Sequence, residues 1–294
     1  MTLSFAPAST HEFCDALPLL FGHLRRDEAL ERSRLGLQLL TDSALESPAN
    51  LFTARVGHAL VGAVLVQALP GGVGVLWPPC APQRPDVEDE LLHIALRWMR
   101  EHHVDLVQAT LGPKDAPLAE PLRRGGFTQP TQLIFMERPS VSLSQDGLCL
   151  RFDSSRLNDL QAALSACLSE SLDFPELHPL RSIADVLQGF RLAGSSPDHW
   201  WLRCEGDAIV GMLMLAPHPP GAWEVTYLGV VPWARRRGHA RKLLQFALCE
   251  THHAGADTLS VCVDGRNIPA RHLYHSCGFH ERERQDVYFY RWPT

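Results

Sequence analysis

Thr258 to Val263 alternates apolar and polar residues, the period of a half-buried strand. Leu243, Leu244, Phe246, Ala247 and Leu248 instead recur at the spacing that covers one side of a helix. Ahead of that helix, Trp223-Glu224-Val225-Thr226-Tyr227-Leu228-Gly229-Val230-Val231 is rich in β-branched and aromatic residues and closes at Pro232, as a strand does. Gly229 inside this run predicts a bulge or a close backbone approach. Asn267 to Tyr274 predicts a short helix stopped by Cys277-Gly278-Phe279. Over the C-terminal half the pattern predicts strands near 148–153, 199–204, 207–217, 223–231, 258–263 and 282–291. Helices are predicted near 157–169, 179–193, 237–254 and 267–276.

The N-terminal half repeats this pattern. Leu91-Leu92-His93-Ile94-Ala95-Leu96 matches Leu243-Leu244-Gln245-Phe246-Ala247-Leu248, and Gly126-Phe127 matches Gly278-Phe279, both 152 residues apart. Gly57, Ala59 and Gly62 match Gly206, Ala208 and Gly211 at 149. A repeat this long means two domains of one fold. The join falls in Arg138-Pro139-Ser140-Val141-Ser142-Leu143-Ser144-Gln145-Asp146-Gly147, where Ser, Pro and Gly replace periodic hydrophobics. The expected domains are therefore 1–145 and 146–294.

Arg235-Arg236-Arg237-Gly238-His239-Ala240 lies between the signature strand and the helix that follows it. The first N–H groups of a helix lack intrahelical partners and carry the positive end of the dipole, so a phosphate is stabilised there. Gly238 permits close approach, and Ala240 keeps bulk away. At the 152-residue spacing, Arg235, Arg237, Gly238 and Ala240 become Gln83, Pro85, Asp86 and Glu88, while Asn267 becomes Asp115 and Tyr274 becomes Leu122. Carboxylates in place of glycine and alanine repel an anion. The first half is thus expected to be structural or acceptor-shaping, and not catalytic.

Three blocks carry a resemblance to the GCN5-related N-acetyltransferase (GNAT) family, whose signature runs L-x-V-x-P, then [QR]-x-x-G-x-[GA], then N-x-x-A-x-x-[LF]-Y-x-x-x-G-F. They stand here as Leu228-Gly229-Val230-Val231-Pro232, Arg235 to Ala240, and Asn267 through Ala270, Leu273 and Tyr274 to Gly278-Phe279. The resemblance is to the tandem type and implies an α/β (α+β) fold of two domains, each a mixed, mostly antiparallel central sheet flanked by helices. It implies acetyl-CoA as cosubstrate and acetyl transfer to a primary amine of a small molecule or peptide by direct attack in a ternary complex.

It further implies that the backbone of Leu228, Gly229 and Val230 holds the acetyl group and pantetheine arm in a gap between the fourth and fifth strands. Arg235, Arg236, Arg237, Gly238, His239, Ala240 and Arg241 would hold the pyrophosphate. Tyr274 would protonate the leaving thiolate, as a phenol with an ordinary pKa near 10 can. Asn267 binds coenzyme or a backbone group, or caps its helix. Glu224 is the candidate base, directly or through water, or else a strand glutamate paired with an arginine; Tyr227 is an alternative pocket wall. Glu170, Asp173 and Glu176 fall where acceptor loops vary, and are read either as a cation site or as a solvated loop.

Composition narrows the field. The chain has 294 residues, 45% of them hydrophobic, enough for two cores. A net charge of -6 argues against general nucleic-acid binding. No stretch approaches the roughly 18 apolar residues of a membrane helix, and the N-terminus lacks a basic start, so a cytoplasmic protein with no membrane partner is expected. The eight cysteines form no C-x-x-C pair, and His102-His103 and His252-His253 do not converge, so buried thiols and no metal are expected. No G-K-[ST] follows the glycine turn, which removes a P-loop. The remaining alternative is a non-catalytic acyl-CoA-binding or regulatory protein, which would keep the turn but need no Tyr274.

Overall fold

The computed structural model describes residues 2–41, 47–141, 149–178, 180–218 and 220–293. The chain forms two compact units, Met1–Thr131 with Gln285–Thr294, and Gln132–Arg284. The sequence join near residue 145 lies outside the described residues.

In chain order, the N-terminal copy contains β1 (Leu3–Pro7), α1 (Phe13–Leu20), α2 (Arg26–Thr41), β2 (Ala49–Val56), β3 (Ala59–Leu69) and β4 (Val73–Cys80). It continues with α3 (Pro85–Glu101), β5 (Leu106–Leu111), α4 (Ala119–Arg124) and β6 (Thr128–Pro139). The C-terminal copy contains β7 (Cys149–Arg151), α5 (Leu157–Ser169), α6 (Ile183–Leu192), β8 (Trp200–Glu205), β9 (Ala208–His218) and β10 (Ala222–Val230). It ends with α7 (His239–His253), β11 (Thr258–Asp264), α8 (Ile268–Ser276) and β12 (His280–Tyr290).

In the first unit β1 to β4 form an antiparallel meander, β4 and β5 run parallel, and Asp286–Tyr290 of β12 pairs antiparallel with β5. In the second unit β7 to β10 are antiparallel, β10 and β11 are parallel, and Leu133–Pro139 of β6 pairs antiparallel with β11. The end of β12 therefore counts with the first unit and the end of β6 with the second, because hydrogen bonding and not chain order decides which sheet a strand completes.

Each sheet is covered on both faces, so its inner strands read as unbroken apolar runs. On β9, Leu213 and Leu215 meet Leu243, Leu244, Ala247 and Leu248 of α7, while Val210, Met212 and Met214 meet Leu160 and Leu164 of α5. The buried stripe of α7 contains His239, Leu243, Leu244, Ala247 and Thr251, and that of α3 contains Val87, Leu91, Leu92, Ala95 and Met99. These are the same helical positions 152 residues apart. α6 starts at Ile183 rather than near 179, because Ser182 and Asp185 form a capping box there.

Candidate functional site

Two features of the second unit converge where β10 ends. β10 pairs with β11 only from Ala222↔Thr258 to Val225↔Val261, although β10 continues to Val230 and β11 to Asp264. The strands part at this point, because the register of β10 against β9 shifts between Val225 and Tyr227. One extra residue increases the local twist and turns the edge away from β11. The bulge therefore sits at Thr226, not at Gly229 as the sequence suggested. Gly229 is regularly paired with Met212, and glycine is needed for a different reason: a Cβ there would lie 2.6 Å from the Tyr227 hydroxyl. Beyond the bulge, the edge of β10 that would face β11 has no partner strand.

The second feature is the start of α7. Arg236 has φ +63° and Gly238, the N-cap, φ +84°. A left-handed arginine stores strain, and such residues concentrate at ligand sites. The two left-handed residues roll the backbone so that the N–H groups of Arg236 to Arg241 have no acceptor among the described residues; the first helical bond is Lys242 N–H to the Gly238 carbonyl, 3.1 Å. A run of free amides at the positive end of a four-turn helix is an anion cradle.

Most side chains of this segment are committed elsewhere. Arg235 turns back, with Nε donating to the Val230 carbonyl (3.2 Å) and Nη1 to Glu170 (2.9 Å). Arg237 reaches Glu205 at 2.8 Å, and Arg241 donates to Ser276 Oγ at 2.7 Å. His239 is buried, its Nδ1 accepting from Arg203 Nε at 3.0 Å, and burial lowers its pKa. Among the described residues, Arg236 is the one arginine of this segment whose side chain has no hydrogen-bond or ion-pair partner, so the candidate cradle is made mainly by backbone. A cavity of about 610 Å³ adjoins it, lined by Arg138, Arg241, Gln245 and Ser276 among others.

Tyr274 lies on α8 in the core that α7 and α8 share, 7% exposed, packed beside Phe279. Its hydroxyl has no hydrogen-bond partner among the described residues, and burial, then the charge of Asp173, raise its pKa. Asn267 caps α8, its Oδ1 accepting from the Ala270 amide at 3.2 Å, and its side chain helps hold down the pKa of Asp173. The helix-cap reading of Asn267 thus has its structural partner. Glu224 Oε2 stands 3.0 Å from His218 Nε2, on the part of β10 that is still paired with β11.

The sequence reads Asp173 only together with Glu170 and Glu176, as a cation site or a solvated loop, and the fold sets it apart from the other two. Its Oδ1 accepts from the Asp264 amide at 2.8 Å, while Asp264 Oδ2 accepts from the Phe174 amide at 3.1 Å. Arg266 bonds both Asp264 (2.7 Å) and Glu176 (2.6 Å). The loop after α5 is thereby clamped across the end of β11. Burial raises the pKa of Asp173, and its charge helps raise Tyr227, Tyr274 and Cys262. Of the three loop carboxylates, Glu170 and Glu176 face arginines; Asp173 faces phenols and a thiol. Its partner lies 91 residues away in the chain, a pairing that no local pattern displays.

The first unit shows the same elements with different residues at these positions. β4 and β5 also part, after Val75↔Gln108. Counting from the equivalent pairs Gly229↔Met212 and Cys80↔Ala63, the place of Leu228 is taken by Pro79, which has no N–H. At the start of α3, Arg84, Val87 and Glu88 amides bond to backbone carbonyls, Pro85 has none to offer, and Asp86 and Glu88 bring their own carboxylates. Leu122 is wholly buried where Tyr274 stands in the other unit. Asp115 replaces Asn267 and is closed by His23 (2.9 Å) and Arg32 (2.7 Å).

Among the described residues no cysteine forms a disulfide, no cluster of ligating side chains suits a metal ion, and no helix is long and apolar enough to cross a membrane.

Residues 162–279 match the model of the acetyltransferase (GNAT) family. A mycothiol acetyltransferase of Beutenbergia cavernae is 35% identical over 81 residues, 27% of this chain and 27% of that protein. The match thus spans about a quarter of that relative. Among solved structures, a GCN5-related N-acetyltransferase from Sphaerobacter thermophilus superposes with a TM-score of 0.70 over 98% of this chain and 95% of that one, at 16% identity. A tandem GNAT protein from the clavulanic acid biosynthesis pathway gives 0.61 over 100% of both chains, at 13% identity. At these identities the two structures bear on the fold alone.

Proposed function

We propose that the second unit, whose residues 162–279 match the acetyltransferase (GNAT) family, is an acetyl-CoA-dependent N-acetyltransferase acting on a primary amine of a small molecule or peptide. The observation that carries this reading is the meeting of two vacancies: strands that part after Val225↔Val261, and six free amides at Arg236–Arg241 one short turn later.

The residues present fit the cosubstrate. The free amides and Arg236 suit the pyrophosphate, the basic cavity beside Arg241 suits the rest of the anionic end, and the unpaired edge of β10 at Leu228 to Val230 suits an amide-bearing arm and a carbonyl oxygen. Bound there, acetyl-CoA supplies an activated thioester. The protein's own contribution is orientation, exclusion of water and proton handling. Tyr274, protonated throughout the physiological range because burial raises its pKa, holds the proton for the departing sulfur. A carboxylate must take the acceptor's proton, and the fold brings two to the Cys262 thiol, whose pKa both help raise: Glu224 and Asp173.

Incubation of the protein with acetyl-CoA and a panel of amines, with free thiol followed by a chromogenic reagent, tests the reading. Thiol release that requires both partners is expected. Tight acetyl-CoA binding without thiol release from any amine would favour the non-catalytic alternative.

A further inference from the structure

Asp173 is a carboxylate held at the end of β11, beside the strand gap. The loop after α5 sets it against Asp264, the last residue of β11, and against Tyr227 on β10 past the bulge. The α8 side contributes Asn267, which helps hold its pKa down, and Tyr274, whose hydroxyl has no hydrogen-bond partner among the described residues. Its own loop contributes His178, whose Nε2 is 2.7 Å from the Asp173 carbonyl. Around this group, Arg266 is held by Asp264 and Glu176, and Arg235 by Glu170, so neither of these guanidinium groups is spent on Asp173. Among the described residues, the positive group that lowers the pKa of Asp173 is the neighbouring His178, and no arginine or lysine bonds to its carboxylate.

We propose that Asp173, rather than Glu224, is the group that receives the acceptor's ammonium and takes its proton. The inference rests on the acetyl-transfer reading above. The ammonium gives one proton to Asp173. The freed lone pair forms the N–C bond to the thioester carbonyl, the C–S bond breaks with its electron pair on sulfur, and Tyr274 protonates that sulfur. The nitrogen's second surplus proton restores the phenol, and Asp173 releases its own to solvent. The order is physically coupled: Asp173 as an anion is one reason the Tyr274 proton is held tightly, so neutralising it makes Tyr274 the stronger acid when the thiolate departs.

The raised pKa of Asp173 places its protonation above the ordinary carboxylate range, so the base is lost as pH falls through that value. The test uses Asp173→Asn, which keeps an oxygen for the Asp264 amide, beside Asp173→Glu and Glu224→Gln. The probes are glucosamine, spermidine and an alanyl peptide. With the amine that wild type acetylates, Asp173→Asn is expected to lower kcat/KM on the order of 10²-fold and to abolish the acidic limb of its pH profile. Asp173→Glu should restore part of both, and Glu224→Gln should keep the limb. Separately, carboxyl-¹³C aspartate NMR of the free protein should show one carboxyl titrating above the usual range, absent from Asp173→Asn. A limb that survives in Asp173→Asn and disappears in Glu224→Gln overturns the assignment alone. Wild type that neither binds acetyl-CoA nor releases thiol overturns the acetyl-transfer reading and this inference together.

Discussion

The helix starts that follow β4 and β10 hold equivalent places in two copies of one fold, and they resolve the same electrostatic problem in opposite ways. At α3 the helix begins early with Pro85, three amides fold back onto carbonyls, and Asp86 and Glu88 supply negative charge from within the chain. At α7 the helix begins late, behind two left-handed residues, and leaves Arg236 to Arg241 without acceptors. A helix N-terminus that satisfies itself is stable and closed. One that does not holds strain and free donors, a cost that a bound anion offsets. The same contrast recurs at Pro79 against Leu228 and at Leu122 against Tyr274, so the first unit lacks the carbonyl donor and the phenol as well.

The largest expected effect comes from erasing the phenol. Tyr274→Phe should lower kcat on the order of 10²-fold while calorimetry shows acetyl-CoA affinity nearly unchanged, and an unaltered turnover would remove the acid role. Next, Gly238→Asp writes the first unit's residue into the second. A left-handed non-glycine residue costs about 1 kcal/mol and the added charge at the cradle roughly another, so acetyl-CoA affinity should fall about 30-fold. Retained affinity would mean that the anion sits elsewhere.

The converse change, Asp86→Ala, should leave acetyl-CoA affinity within twofold and lower the melting temperature only slightly, because that carboxylate serves its own helix; a loss of affinity would reveal a second ligand site. The smallest effect concerns His239, which burial keeps neutral in the fold. The unfolded chain gains this proton near the ordinary value of about 6.5 and the folded one only at lower pH, so this contribution to stability is present above 6.5 and lost as pH falls. Denaturation of His239→Gln should show a shallower loss between pH 7 and 5 than wild type.

The sequence made the repeat, both helix stripes and the α7 turn legible because each is a local pattern: a period, or a few residues at fixed spacing. Three things were not. The bulge at Thr226 depends on how β9 aligns with β10, and of the two readings of Gly229 the close approach holds and the bulge does not. The exchange of strand partners by β6 and β12 is decided by long-range hydrogen bonds. What separates Asp173 from the other two loop carboxylates is that its loop, 91 residues upstream, closes on Asp264. Likewise, five basic side chains around Gly238 read as one anion site, whereas Arg235, Arg237, His239 and Arg241 are each drawn to a nearby partner, which leaves Arg236 and the backbone amides as the candidate anion donors.

The central claim is that one of two related units keeps an open acetyl-CoA site. Titration calorimetry of the full chain with acetyl-CoA tests it most directly through the stoichiometry. One equivalent per chain in wild type, with that single event weakened in Gly238→Asp and untouched in Asp86→Ala, is the expected result. Two equivalents per chain, or one that persists unweakened in Gly238→Asp, would contradict it.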